Sequence, residues 1–354
     1  MKDRKAVVRC GSRSAVRLAD LALLVRAPAA LSVPGDVIAG AAAAGRPLGV
    51  RTLGVIGSSV CLYWAGMALN DYADAAVDAV ERPERPVPSG RVPRRTALAV
   101  AGGLTAAGIG LAAAAGGRRS VGAALPLAGL VWAYDLKLKS TSAGGFAMAG
   151  ARVLDVLAGA VVPGAGAPSV GVALRRAAVP AGLVGVHTGT LMALSRHEIG
   201  GAPVRVPAAT LAVSAVTAVA TAVPIARAAA ESAAKGRLAS AAPSWLVAPR
   251  GGAANRYSPA PLKGVAVAAR SKKFRTAVTA AATLAYLGTY GAAQARAVQV
   301  PSGENLRRAV GAGILGLMPL QAALTARGGS PAVAAALGVV HPLARRLARR
   351  ISPT

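Results

Sequence analysis

The stretch from Asn70 to Arg91 carries most of the chemistry this chain can offer. Only 13 residues of the chain are acidic, and five of them (Asp71, Asp74, Asp78, Glu81 and Glu84) fall here. At about 100° per residue, Asn70, Asp71, Asp74 and Asp78 share one side of a helix. Three carboxylates and an amide oxygen are hard donors of the kind Mg²⁺ takes, and Mg²⁺ typically keeps several waters and completes its shell with substrate phosphate oxygens. Arg82, Arg91, Lys137 and Lys139 could hold the other side of a diphosphate. The competing reading is a solvated acidic helix end. Four aligned oxygen-bearing side chains at the end of an apolar run, in a chain of net charge +28, speak against it.

The elements that must position these residues are apolar. The 354 residues are 54% hydrophobic and only 15% charged, with a mean hydropathy of +0.50. A soluble protein of this length would be about a quarter charged. Runs of roughly 18 to 25 apolar residues match the length of a membrane-crossing helix, and the abundant Ala and Gly suit close helix packing in lipid. An all-α integral membrane protein with many spans follows. Aromatics make up only 3% of the chain, and no nucleic-acid motif is present, so no nucleic acid is expected as a partner. The basic residues cluster between spans and at both ends, where they would face anionic membrane lipids. Cys10 and Cys61 are too few for a disulfide framework and suit no metal site.

In chain order, a basic cytoplasmic segment (1–20) precedes a bundle region (21–230) holding the acidic motifs. A basic loop with Pro, Ser and Gly (231–273) follows, then C-terminal helices and a basic tail (274–354). The basic start and the apolar residues after it could pass for a secretory signal, but a retained first helix with its N-terminus in the cytoplasm is the expectation. Spans are expected near 26–44, 51–69 and 97–115, with a turn at Gly116-Gly117-Arg118-Arg119 and a fourth span ending at Trp132 to Asp135. Others are expected near 144–162, 177–194, 206–226, 274–292 and 309–325. A last apolar segment, 331–340, is a tenth crossing or an interfacial helix.

Asp36 lies within the first span, facing either the bundle interior or water at a helix break. Arg152 and Asp155, three positions apart in the fifth, form a buried structural pair or serve the pocket. The positive-inside rule puts the loops around Arg82–Arg95, Lys137 and Lys139, Arg196 and Arg205, and Arg307 and Arg308 on the cytoplasmic side, while the basic loop at 231–273 falls outside against the rule.

Asn70-Asp71-x-x-Asp74-x-x-x-Asp78, with Arg85-Pro86-Val87-Pro88-Ser89-Gly90-Arg91 behind it, resembles the first Asp-rich motif and trailing loop of the UbiA superfamily of intramembrane prenyltransferases. Arg26-x-Pro28 and Tyr134-Asp135-x-Lys137-x-Lys139 extend the likeness. The run Ser195-Arg196-His197-Glu198-x-Gly200-Gly201 is most similar to the EboC-like branch.

The resemblance implies nine transmembrane helices (ten by the charge of the tail) around a central cavity, with two acidic motifs at its cytoplasmic mouth. It also implies Mg²⁺, an isoprenyl diphosphate donor and a lipophilic, aromatic or polar lipid-like acceptor. Asn70, Asp74, Asp78 and Glu198 would bind metal, and Asp71, Asp74, Asp78 and Glu198 would form the catalytic set. Arg82, Arg91, Lys137, Lys139 and Arg152 would bind diphosphate. Asp36, Asp155 and His197 are candidates for the acceptor pocket, His197 either as a base or as an ordinary loop residue. The second motif departs from the family by having Glu198 as its only acid. The alternative reading is a transporter or lipid-binding protein that keeps the fold without catalysis. A phosphatidyl transferase is disfavoured by the lack of an Asp-Gly-x-x-Ala-Arg start.

Overall fold

The computed structural model of the chain describes residues 16–164, 166–241 and 262–339, with side chains described outside 28–29 and 224–270. Among the described residues there is no strand, and every extended apolar run is helical. That is the solution a backbone must adopt where no water can satisfy its N–H and C=O groups. Among the described residues, five helices are long and apolar enough to cross a membrane.

The first expected span is broken rather than continuous. A short helix α1 (Leu18–Leu24) leads through a 3₁₀ turn (Ala27–Ser32) into α2 (Pro34–Ala43). Proline explains the breaks: it lacks an N–H and biases the residue before it away from the α conformation, so Pro34 starts a helix rather than continuing one. Arg26, between α1 and the turn, is the one described non-glycine residue with positive φ (46°).

Helix α3 (Val50–Ala73) runs up to the acidic stretch and α4 (Ala75–Glu81) leaves it. The long α5 (Arg94–Leu136) consists of two arms meeting at Gly117, where φ is 57° and ψ −145°. A side chain there would be strained, so the Gly116-Gly117 pair makes the turn that the sequence predicts between the third and fourth spans.

The bundle continues with α6 (Gly144–Ala160), α7 (Val170–Ser195) and α8 (Arg205–Ala241). After α9 (Leu262–Tyr286), a π-helical turn (Leu287–Gly291) leads into α10 (Ala292–Gln299) and α11 (Gly303–Arg327). Residues 331–339 are also helical. The flanking helices extend into the loop expected at 231–273, since α8 reaches Ala241 and α9 starts at Leu262. The centre of that loop, Cys10 and the C-terminal arginines lie outside the described residues.

Two glycines let α2 and α6 touch backbone to backbone. A Cβ on Gly159 would come within 2.0 Å of the Val37 carbonyl oxygen, and one on Gly40 within 1.8 Å of that of Val156. Large apolar side chains such as Phe146, Leu53, Val216 and Leu284 face outward, where lipid is their natural neighbour. The core around α7, α9 and α11 closes on a polar-aromatic cluster. His187 is fully buried, with Nδ1 3.1 Å from the Tyr286 hydroxyl and Nε2 3.1 Å from the Gly313 carbonyl oxygen. A carbonyl can only accept, so Nε2 carries the proton and Nδ1 accepts from Tyr286.

Candidate functional site

The acidic stretch is a helix, a bend and a helix. The Asp74 amide bonds the Asn70 carbonyl and the Asp78 amide bonds that of Asp74, both in helical register. The backbone at Asp74 departs from helix, with φ −88° and ψ 5°, making it the shared cap of α3 and α4. The proline-rich segment after α4 cannot continue a helix and folds back under the carboxylates. It is anchored where Arg94 stacks 4.5 Å from the Tyr72 ring centre and donates to the Tyr72 carbonyl at 3.0 Å.

That return places Arg85 between two acids. Its Nη1 lies 2.6 Å from Asp78 and 3.6 Å from Asp71. Asp71, 1% exposed, is also paired with Arg26 at 2.9 Å, and the same guanidinium donates to the Met67 sulfur. Lys139, in a 3₁₀ turn after α5 (Leu138–Ser140), lies 2.6 Å from Asp74. Asp135, buried at the end of α5, accepts a long 3.4 Å bond from the Asn70 amide. Four carboxylates and three basic side chains therefore interleave in one small volume. The left-handed backbone of Arg26, unusual for a residue with a Cβ, delivers one of the three.

The remaining sequence-predicted residues are spread more widely. Arg82 and Lys137 are exposed at the rim. Arg91 is turned away, bonded to Asp20 at 2.9 Å and to the Glu84 carbonyl. Glu198 and His197 sit in the turn after α7, which packs on the start of α11, and Arg307 donates to the Glu198 carbonyl at 3.4 Å. Partial burial pushes the Glu198 carboxyl above its ordinary range, opposed by the Arg307 and Arg82 guanidiniums.

Below the mouth lies a mostly apolar cavity of about 210 Å³ between α3, α5 and α6. Asn70, Asp135 and Arg26 line its upper end, Tyr63, Tyr134, Leu62 and Val131 its walls, and Ser59, Arg152 and Asp155 its lower end. Ser59 donates to Asp155, and Arg152 Nε lies 2.8 Å from the fully buried Asp36. Gln321 of α11 donates at 2.7 Å both to Asp36 and to the Ser32 carbonyl. Of the residues expected in an acceptor pocket, Asp155 lines the cavity and Asp36 lies behind it. Arg152 is at the opposite end from the acidic mouth. Eleven residues of α3 separate Ser59 from Asn70, about 16 Å at helical rise.

Among the described residues no three His, Cys, Asp or Glu side chains converge tightly enough to make a metal cage. Glu198 and the Asp74–Asp78 pair form no common cluster there. The donor set nevertheless fits Mg²⁺, which seldom uses an all-protein cage and takes one or two carboxylates plus substrate phosphate and water. Asn70 and Asp135 offer such oxygens at the upper end of the cavity, and Asp74 offers its own one helical turn beyond Asn70. Sequence reasoning assigns no role to Arg26, Arg85 or Asp135, although each stands inside a motif it singles out. It misses Ser59 and Gln321 outright, since a lone hydroxyl or amide in an apolar run carries no local signal.

Comparison with known proteins gives this arrangement a family. Residues 32–247, more than half of the chain, match the profile of the UbiA prenyltransferase family. A digeranylgeranylglyceryl phosphate synthase of Methanopyrus kandleri is 41% identical over 109 residues, which is 31% of this chain and 38% of that protein. The chain thus spans under two fifths of that relative. Among solved structures, the apo form of a UbiA homolog from Aeropyrum pernix K1 superposes with a TM-score of 0.55 at 17% identity, over 88% of this chain and 97% of that one. A UbiA homolog from Archaeoglobus fulgidus bound to GPP and Mg²⁺ superposes with a TM-score of 0.51 at 16% identity, over 84% and 99% of the two chains. At such identities the superpositions show a shared fold, and together with the match over residues 32–247 they establish that the chain belongs to the UbiA prenyltransferase family.

Proposed function

We infer that this protein is a Mg²⁺-dependent prenyltransferase that moves an isoprenyl group from its diphosphate to a lipophilic acceptor, aromatic or lipid-like, inside the membrane. The observation that carries this reading is the interleaved acid–base mouth opening onto an apolar, aromatic-walled cavity. Such a site has one end for a charged leaving group and another for a hydrocarbon tail. The names of the relatives support the reading, as does the GPP and Mg²⁺ complex of the Archaeoglobus protein. We read nine crossings, with α1 and α2 forming the first, the arms of α5 the third and fourth, and α11 the ninth. The mouth then opens to the cytoplasm.

Asn70, Asp74, Asp78 and Asp135 would hold the metal, which when bound would neutralise charge on the departing diphosphate. Arg26, Arg85 and Lys139, with Lys137 and Arg82 at the rim, would hold the diphosphate oxygens. As the C1–oxygen bond breaks, its electron pair leaves with diphosphate. The allylic cation then lies in the cavity that Tyr63 and Tyr134 help to wall, and aromatic rings stabilise positive charge. The acceptor attacks C1 at the mouth and the proton it gives up passes to the departing diphosphate there; Asp155 and Asp36, about 16 Å below, are too remote to take it.

Membranes containing the protein, incubated with Mg²⁺ and radiolabelled prenyl diphosphates, test this. Asp74→Ala and Asp78→Ala should each lower diphosphate release by about 10²–10³-fold. Release undiminished in both variants would sink the proposal.

A further inference from the structure

The end of the bundle opposite the mouth carries charge with nothing to balance it. Helix α3 runs 24 residues from that end to the acidic stretch, about 36 Å at helical rise and enough to cross the hydrocarbon core of a bilayer. Three connections meet there: the link from α2 to α3, the turn within α5 at Gly117, and the link from α6 to α7. Residues 44–51, 116–120 and 161–176 supply six arginines (Arg46, Arg51, Arg118, Arg119, Arg175 and Arg176) and no acid. Among the described residues none of the six makes an ion pair.

Arg46 is the buried member, 4% exposed. Its Nε donates to the Ala160 carbonyl at 3.2 Å and its Nη2 to that of Pro168 at 3.1 Å, while Nη1 is buried without a partner. Carbonyl dipoles orient a guanidinium but leave its charge in place. Burial, and then the charge of Arg119, lower the Arg46 pKa from its ordinary value. Arg176 approaches the same link, since a Cβ on Gly45 would lie 3.8 Å from its Nη1. Both Arg119 and Arg176 are exposed. A buried cation whose charged neighbours share its sign is costly until an anion joins it. Orientation does not account for these arginines. With the mouth at the cytoplasm, they fall on the side that the positive-inside rule leaves poor in them.

We propose that Arg46, Arg119 and Arg176 form a binding site for the phosphate headgroup of an anionic glycerophospholipid, at the membrane face opposite the mouth. Guanidinium N–H groups match phosphate oxygens in pairs, and basic pockets between membrane helices suit such headgroups. An anion held by Arg119 and Arg176 supplies the counter-charge that Arg46 lacks. Lipid is favoured over free phosphate because Leu48, Val50 and Leu53, beside the site, expose apolar side chains along which acyl chains would lie. The headgroup ties the α2–α3 link, the α5 turn and the start of α7 together, so its binding stabilises the folded bundle.

Melting of the purified protein in a non-ionic detergent tests the site, with three titrants: phosphatidylglycerol, phosphatidylcholine of the same acyl chains, and inorganic phosphate. Phosphatidylglycerol should stabilise with a midpoint at least about tenfold below that of phosphatidylcholine. Arg119→Ala/Arg176→Ala changes two exposed positions and leaves Arg46 its carbonyl bonds; it should weaken the phosphatidylglycerol response by about tenfold or more. Arg205→Ala/Arg296→Ala removes the same charge from exposed positions at the other end and should leave the response unchanged. Equal stabilisation by the two lipids, a preference that survives Arg119→Ala/Arg176→Ala, or equal loss in both double variants would overturn the site. Inorganic phosphate stabilising as well as phosphatidylglycerol would overturn the lipid as its occupant.

Discussion

Replacing Arg152 by Met tests the buried charge cluster most directly. Arg152 is 7% exposed, and its guanidinium lies 2.8 Å from Asp36 and 3.3 Å from the Ser32 carbonyl. Met keeps most of the volume and removes the charge, so packing changes little. What remains is Asp36, with no exposure and no ion-pair partner, in the same buried region as a second carboxylate, Asp155, which is 4% exposed and bonded to Ser59. Breaking a buried pair by removing one partner costs about 3–5 kcal/mol, because the stranded charge has lost its solvent. At about 2–4 °C per kcal/mol for a large chain, the melting temperature in detergent should fall by roughly 6–20 °C.

The double variant Arg152→Met/Asp36→Asn separates charge from shape. The side-chain amide introduced by Asp36→Asn can still accept from Gln321, and the stranded carboxylate is gone, so more than half of the loss should return. Recovery of that size is a coupling energy, which simple loss of packing at two sites would not produce. A single variant as stable as wild type, or a double variant whose losses merely add, would refute the reasoning.

Two further outcomes follow from geometry. Gly159→Leu should prevent accumulation of folded protein, since its Cβ would stand 2.0 Å from a backbone oxygen of α2 that cannot move aside; yield and size-exclusion profile in detergent check this. Glu198→Gln should raise stability at neutral pH and lose its advantage in acid. A carboxyl whose folded-state pKa is raised favours the folded state below its unfolded pKa, and that contribution disappears as pH rises through the folded value; melts at pH 4 and pH 7 compare the two regimes.

The features read from sequence are those that local spacing determines. Asp71, Asp74 and Asp78 lie on a common helical face because i, i+3 and i+4 periodicity is a property of the backbone, and the bend at Asp74 does not break its hydrogen bonding. Gly116-Gly117 is visible as a turn because only glycine tolerates the dihedrals found there. Partner choice is different. Arg85 reaches two carboxylates because the proline-rich segment doubles back, and Arg91, six positions later, is carried to Asp20 by the same turn. No spacing rule separates these two arginines. The floor of the cavity joins α2, α3, α6 and α11, so Asp36 and Gln321, 285 positions apart, meet only through the tertiary fold.

The ion pairs of the mouth also make it a thermodynamic coupler. Any cation that takes Asp74 must displace Lys139, and any anion that takes Lys139 leaves Asp74 without its counter-charge. The same exchange holds for Asp78 and Arg85. Each ligand therefore removes an obstacle to the other, and linkage requires the enhancement to be equal in both directions. If the mouth binds a divalent cation and a diphosphate as proposed, a site closed on itself in this way would hold neither well alone and both well together, and lone divalent cations and lone phosphates would compete poorly for it.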